Sequence, residues 1–423
     1  MQKAVAQLKL ERKVVVRPGS GTFVAMTKAN VPGKSVSWQS VALGHRDNPG
    51  TAVQDMLAAP GGDTLPLSVA YLDPALQPHK LLRQALTRVA KKPGVWSNAP
   101  LEGIEGLRAW FADEVGADIQ PFDVQIVSGG QAALTTVFRA LTKPGQLVLV
   151  ESPTYLGATA AIRVANCSPM PVPVDRDGVR PDYLADAFRQ TGASVFYCQP
   201  LHANPSGACL SAERRRAVIE AAEAAGAFIV EDDYTRGLTF RGEASPPLVT
   251  EDSSRVVYLR SLSKLTAPSL RVAAICAKGP AGVRIKAMRA VDDLFGATPL
   301  QEVALELVTS SGWARHLKRT CAELLRRCEA ATRAVTEYMP GVRIVVPPSG
   351  GLHLWLQLPD GIEDRAFAAA ALEARVSVKA GSPYFPVEPP APFLRLSFAA
   401  AGEDMLEQGI QRLGKVLAKS LAG

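Results

Sequence analysis

The chain of 423 residues contains no uninterrupted apolar run of the roughly eighteen residues or more that a membrane span requires. Its opening residues, MQKAVAQLKLERKVVV, lack an apolar signal core with a small-residue cleavage site, so export is not expected and the cytoplasm is. Cysteine is sparse: Cys167, Cys198, Cys209, Cys276, Cys321 and Cys328 form no CxxC pair and no Cys/His ligand spacing. That excludes a disulfide scaffold and a structural metal cluster, and leaves free thiols. Internal repeats are missing too, which removes solenoids and propellers. What is present is ordinary globular composition, 47% hydrophobic and 21% charged, which rules out collagenous, mucin-like and wholly disordered chains. The length allows two or three domains and a large core.

The net charge of +7 is unevenly placed. Residues 1–34 hold Lys3, Lys9, Arg12, Lys13, Arg17, Lys28 and Lys34 against the single acid Glu11, so the remainder is almost neutral. A basic end on a neutral body fits either a nucleic-acid contact or a solvated tail. Within it, VAQLKLE reads as the last turns of a helix. KVVVRPGSGTFVA reads as two short strands around Pro18-Gly19-Ser20-Gly21, where glycine permits the positive φ of a tight hairpin. Residues 25–64 are punctuated by proline, glycine, serine and asparagine, and read as a linker carrying a short helix at AVQDMLAA.

Beyond residue 64 the pattern turns regular. Short β-rich runs (QLVLVE, SVFYCQP, AFIVEDD, RVVYLRS, VAAICA) alternate with helical stretches such as ERRRAVIEAAEAAG, which predicts a mostly parallel sheet flanked by helices over 65–300. From 301 to 423, long helices precede short strands (VRIVV, GLHLWLQL, FLRLSF) and a last helix, a smaller α+β domain.

In an open α/β sheet, ligands sit beyond the carboxyl ends of the strands. Tyr155 follows LVLVE, Asn204 follows VFYCQP, Asp232 closes FIVED and Lys264 follows VVYLRS, so four strands deliver a Tyr, an Asn, an Asp and a Lys to one edge. The stretch SLSKLTAPSLR (261–271) surrounds Lys264 with hydroxyls and an arginine, which suits an amine nucleophile beside an anion site. Gly129-Gly130 opens a helix, QAALTTVFRAL, whose amino end can hold an anion.

These blocks, SGGQAAL (128–134), ESPTY (151–155), NPSG (204–207), EDDY (231–234), SLSK (261–264) and LRLSF (394–398), stand in the order found in fold type I pyridoxal-phosphate (PLP) enzymes. Over about residues 65–420 the chain resembles the class I/II aminotransferase group of those enzymes. The resemblance implies that Lys264 binds PLP as a Schiff base and moves the proton, and that Asp232 pairs with the pyridine nitrogen. It implies that Tyr234 and Asn204 bond the cofactor's phenolic oxygen and that Tyr155 stacks on its ring. Gly130 and Gln131, with Ser261, Ser263 and Arg271 opposite, would take the phosphate. Arg395 would grip the substrate α-carboxylate. Two departures stand out. Ser269 and Ala273 replace glycines after the lysine, so the loop must shift if either needs φ > 0. LSVAYLDP (67–74) lacks a glycine that relatives often carry, which bears on substrate scope.

RPGSGTFVA (17–25) resembles the wing of GntR-type winged-helix domains, and QKAVAQLKLERK the end of their recognition helix. Wing, linker and aminotransferase-like domain together resemble the MocR regulators. Only about 24 residues of a fold needing roughly 65 are present, so residues 1–24 are expected to be a partial winged helix. The resemblance therefore implies an aminotransferase acting on an L-amino acid and a 2-oxo acid as a homodimer. The alternative is a PLP-responsive transcriptional regulator with weak DNA contact through its basic end.

Overall fold

The computed structural model describes residues 5, 8, 14–17, 21–24, 38–43, 50–58, 61–98, 100–116 and 118–422. By proximity of its backbone the chain divides into two compact units, Met1–Asn48 and Pro49–Gly423. In the first, β1 (Val14–Arg17) and β2 (Gly21–Val24) pair antiparallel, Val14 opposite Val24 and Arg17 opposite Gly21. This is the expected hairpin, with Gly21 at φ +111°. Val5 and Leu8 are helical, and Trp38–Leu43 forms a short helix. Pro18, Gly19, Ser20 and most of the expected helix end lie outside the described residues.

The second unit is built on an eight-stranded sheet. In chain order its strands are β3 (Val124–Val127), β4 (Leu147–Ser152), β5 (Ser168–Asp175), β6 (Gly178–Val179), β7 (Val195–Cys198), β8 (Phe228–Asp233), β9 (Val256–Ser261) and β10 (Ala273–Cys276). Their spatial order is β3-β10-β9-β8-β7-β4-β5-β6. The run from β9 through β8, β7 and β4 to β5 is parallel, whereas β10 is antiparallel to both β3 and β9. The central strands are buried on both faces, as apolar runs in a helix-covered parallel sheet should be. Alternation decides which side each residue serves: Val256 and Tyr258 of β9 pack into one core, Val257 and Leu259 into the other. Helices Gly130–Leu141 and Leu156–Val164 cover the second face through Val137, Phe138 and Ile162, all fully buried.

Strand β5 carries no sequence signal, because SPMPVPVD places prolines at 169, 171 and 173. Their equal parity puts every missing N–H on one edge, so β5 can still pair with β4 along Leu147–Ser152. The long C-terminal helical run breaks at Ser310-Ser311-Gly312 into helices Thr298–Val308 and Trp313–Tyr338. A four-stranded antiparallel sheet follows, β11 (Arg343–Ile344), β12 (His353–Gln357), β13 (Lys379–Ala380) and β14 (Phe393–Ser397), in the order β11-β12-β14-β13. Helix Glu403–Ala422 closes the chain. The helix expected within the linker spans Gly50–Leu57 and belongs to this second unit.

Candidate active site

Strands β3, β4, β7, β8 and β9 all end at one edge, since β10, antiparallel to both its neighbours, leaves β3 pointing the same way as β9. A cavity of about 490 Å³ opens there. Its wall includes Lys264, Asp232, Tyr234, Tyr155, Asn204, Gly130, Gln131, Ser261, Ser263, Arg271 and Arg395. Every side chain singled out from the sequence thus borders one space, although they span residues 130 to 395.

Lys264 follows the end of β9 and reaches inward. Its Nζ donates to the Ala70 carbonyl at 2.8 Å and lies 3.5 Å from the centre of the Tyr71 ring. Burial, followed by the nearby Arg395 and Arg271 charges, pulls its pKa down to about 7, with Asp232 opposing. Asp232 sits on β8 with its Oδ2 accepting from Tyr197 Oη and Gln199 Nε2, both at 2.8 Å. Burial raises its pKa to about 6 against those two bonds. Its neighbours in the EDDY block face away: Glu231 accepts from the Leu248 and Val249 amides, and Asp233 takes Tyr258 and Arg236.

Arg395, on β14, is 2% exposed. Its Nη1 donates to Asn204 Oδ1 at 3.1 Å and its Nη2 to the Ser68 carbonyl at 3.0 Å, while Nε has no partner among the described residues. The guanidinium lies over the Tyr384 ring, in an aromatic nest with Trp355 and Phe393 stacked 5.0 Å apart. Tyr234 Oη donates to the His202 carbonyl at 2.8 Å, and Tyr155 Oη donates to Gln131 Oε1 at 3.2 Å. Burial raises both phenol pKa values.

Opposite Lys264, Gly129 at φ +94° turns the chain from β3 into the helix beginning at Gly130. A Cβ on Gly129 would collide with the Arg271 guanidinium, which donates to the Ser128 carbonyl at 3.0 Å. The helix amino end, Arg271 and the buried, unpartnered Ser263 Oγ therefore converge on one corner. That corner fits a phosphate: unused donors, a positive guanidinium and no side chain filling the turn. The expected loop shift does not arise from Ser269 or Ala273, neither of which has positive φ. The left-handed residue is Arg271 itself, at φ +50°.

Sequence reasoning missed Tyr197 and Gln199, which hold Asp232. Gln199 follows directly after β7, so strand-end position alone could have marked it. Sequence reasoning tied LSVAYLDP to substrate scope and placed a helix at AVQDMLAA, but it missed that Ser68–Tyr71 touches both Lys264 and Arg395 and that Val53, Met56 and Leu57 of the helix Gly50–Leu57 wall the cavity. Those contacts join residues far apart in the chain and leave no local pattern.

Residues 73–413 match the family model described as aminotransferase class I and II. The chain is 30% identical over 357 residues to a 2-aminoadipate transaminase of Thermus thermophilus, covering 82% of this chain and 89% of that protein. It is 26% identical to the HTH-type transcriptional regulator YdcR of Escherichia coli over 96% of this chain and 88% of that one. Among solved structures, an α-aminoadipate aminotransferase of Thermus thermophilus complexed with N-(5'-phosphopyridoxyl)-L-leucine superposes with TM-score 0.83. The identity is 28%, over 88% of this chain and 95% of that one. With its amine, carboxylate, arginine and phosphate corner around one cavity, the chain belongs to the class I and II aminotransferases and is a pyridoxal-phosphate-dependent aminotransferase of fold type I.

Proposed function

We propose that the chain exchanges an amino group between an L-amino acid and a 2-oxo acid, with Lys264, Asp232 and Arg395 as its principal working residues. The supporting observation is their convergence, with the phosphate corner, on one cavity. Pyridoxal phosphate, when bound, supplies the electron sink that draws charge from the carbon bearing the amino group. With a pKa near 7, Lys264 offers an unprotonated amine at neutral pH, the form that bonds a carbonyl carbon and, once free, takes and returns a proton. Asp232, oriented by Tyr197 and Gln199, would accept from the ring N–H, and a cation there would restore its charged form. Gly130 and Gln131 N–H groups, Ser261, Ser263 and Arg271 would hold the phosphate. Tyr155 would lie against the ring, while Asn204 and Tyr234 would serve the phenolic oxygen, Tyr234 on giving up its bond to the His202 carbonyl. Arg395 exchanges its bonds to Asn204 and Ser68 for the substrate carboxylate, which its two outer nitrogens can grip as a fork.

Part of the cavity wall is apolar (Val53, Met56, Leu57, Val69), which supports substrates with apolar side chains. Exposed Trp96, Val283, Val291 and Leu294 support a homodimer, and the expected site of action is the cytoplasm. No described helix is long and apolar enough to cross a membrane.

The test is an absorption spectrum of purified protein with PLP, before and after a panel of L-amino acids, with Lys264→Ala as control. A visible band that bleaches with an amino acid and returns with a 2-oxo acid supports the full exchange. A wild type that matches Lys264→Ala overturns the assignment.

One observation favours a second reading, in which the same site senses an effector for a regulator. The likeness to the HTH-type regulator runs through 96% of the chain, and the hairpin Val14–Val24 fits the wing of a winged helix. DNA affinity that falls steeply with salt and disappears with residues 1–24 supports it; affinity unchanged by that deletion removes it.

A further inference from the structure

Lys264 lies among like charges. The groups that bear on its amine are Arg395 from β14, Arg271 from the loop after β9, Asp232 from β8, and His353 from β12. Two arginines repel an ammonium there, and His353, which burial keeps neutral, offers no compensation. Among the described residues the one charged group that attracts it is Asp232, which already accepts two hydrogen bonds. Yet the hydrogen bond of Nζ goes to the Ala70 carbonyl, not to Asp232. Nζ contacts the segment Ser68–Tyr71, with the Ala70 carbonyl at 2.8 Å and the Tyr71 ring centre at 3.5 Å. The same segment receives Arg395 through the Ser68 carbonyl, so one short segment contacts both functional cations.

We propose that Tyr71 is a positioning residue: its ring face, with the Ala70 carbonyl, seats the Lys264 amine whenever that amine is not bonded to the cofactor. This rests on Lys264 being the cofactor-bearing residue. A ring face attracts a cation through its quadrupole, which fades faster with distance than the field of a carboxylate. It can therefore hold the amine in place without forcing it to stay protonated. A carboxylate in the same position would raise the pKa and lock the charge. A seat of this kind suits an amine that must leave, return and shuttle a proton. It accounts for a tyrosine in contact with the nucleophile but hydrogen-bonded to none of the catalytic side chains.

The test uses cofactor-free protein and the rate at which trinitrobenzenesulfonate labels Lys264, followed by peptide mass against pH. Tyr71→Leu removes the ring, so the ammonium loses support and the midpoint falls by about 0.4–1.5 pH units. Tyr71→Phe keeps the ring and holds the wild-type midpoint. Ring-fluorinated phenylalanine at position 71 keeps the shape but removes the negative face, and it must follow Tyr71→Leu even if the latter folds poorly. In loaded enzyme, Tyr71→Leu lowers kcat about tenfold with little change in KM, since amine placement affects the proton step rather than carboxylate binding. A midpoint equal to wild type in both the leucine and fluorinated variants overturns the proposal, as does an equal shift in all three. Lys264→Ala separates this from failure of the underlying reading. If it takes up PLP with the same visible band as wild type, Lys264 is not the cofactor residue; if the band depends on Lys264 and the midpoints do not move, Tyr71 alone is misassigned.

Discussion

Lys264 carries a cost that the fold bears for the sake of reactivity. Its folded pKa of about 7 lies below its ordinary 10.5, so between those values the unfolded chain binds more protons and stability rises with pH. At pH 6 the amine is charged in both states and the burial penalty is fully present. Cofactor-free Lys264→Met should therefore melt several degrees above wild type near pH 6, the difference closing toward about pH 10 in a thermal unfolding series. Asp232 has the opposite sense: with its pKa raised from 3.8 to about 6, the native state binds more protons there, and its contribution to stability falls as pH rises through that window. Arg395→Ala leaves Asn204 and the Ser68 carbonyl without their donor. It should lower kcat/KM for amino acids by roughly 30–100-fold, about 2–3 kcal/mol, while PLP titration changes far less. At this scale the sequence was legible where strands end. In EDDY, strand alternation sends Asp232 toward the cavity and its acidic neighbours away, a distinction that period two already contains.

The diglycine turn and the lid-like helix show how elements position the chemistry. Gly129 works because φ +94° is open to glycine and because nothing on Cα blocks Arg271. Gly129→Ala should weaken PLP binding at least tenfold in a fluorescence titration, through backbone strain of about 1–2 kcal/mol and a displaced guanidinium. The helix Gly50–Leu57 seats Met56 against Trp355, Tyr384 and Phe393, while Lys379 Nζ donates to the Asp55 carbonyl at 2.5 Å. Met56→Ser should raise KM for apolar amino acids roughly 3–10-fold and leave PLP affinity unchanged, a split that steady-state kinetics reads directly. The helix itself was legible from AVQDMLAA. Its docking beside Leu156 and the small sheet was not, because apolar spacing says that a face is buried, never against what.

For the second unit as a whole, one continuous core ties the large sheet to the C-terminal helices: Phe111, Phe196, Leu324, Leu354 and Leu406 fall in a single buried cluster. Unfolding of this unit should be cooperative, and PLP at 100 times its Kd should add about 2.7 kcal/mol, visible as a concentration-dependent rise in Tm absent from Lys264→Ala. By itself the sequence determined the alternation of strands and helices, the short strands of the smaller α+β domain and eleven of the residues that border the cavity. Each of these is local: periodicity, a strand end, or a short block with its own chemistry. It did not show β5, whose prolines mask an edge-tolerant strand, nor the reversal of β10 that brings β3 and its diglycine turn to the active edge. It could not place Ser68–Tyr71 against Lys264, 194 residues on from Ala70, or Asn204 against Arg395. Those pairings depend on how the sheets and helices pack in three dimensions, and only the tertiary structure decides them, because a contact between distant residues is selected by shape and burial rather than by anything either residue's neighbours specify.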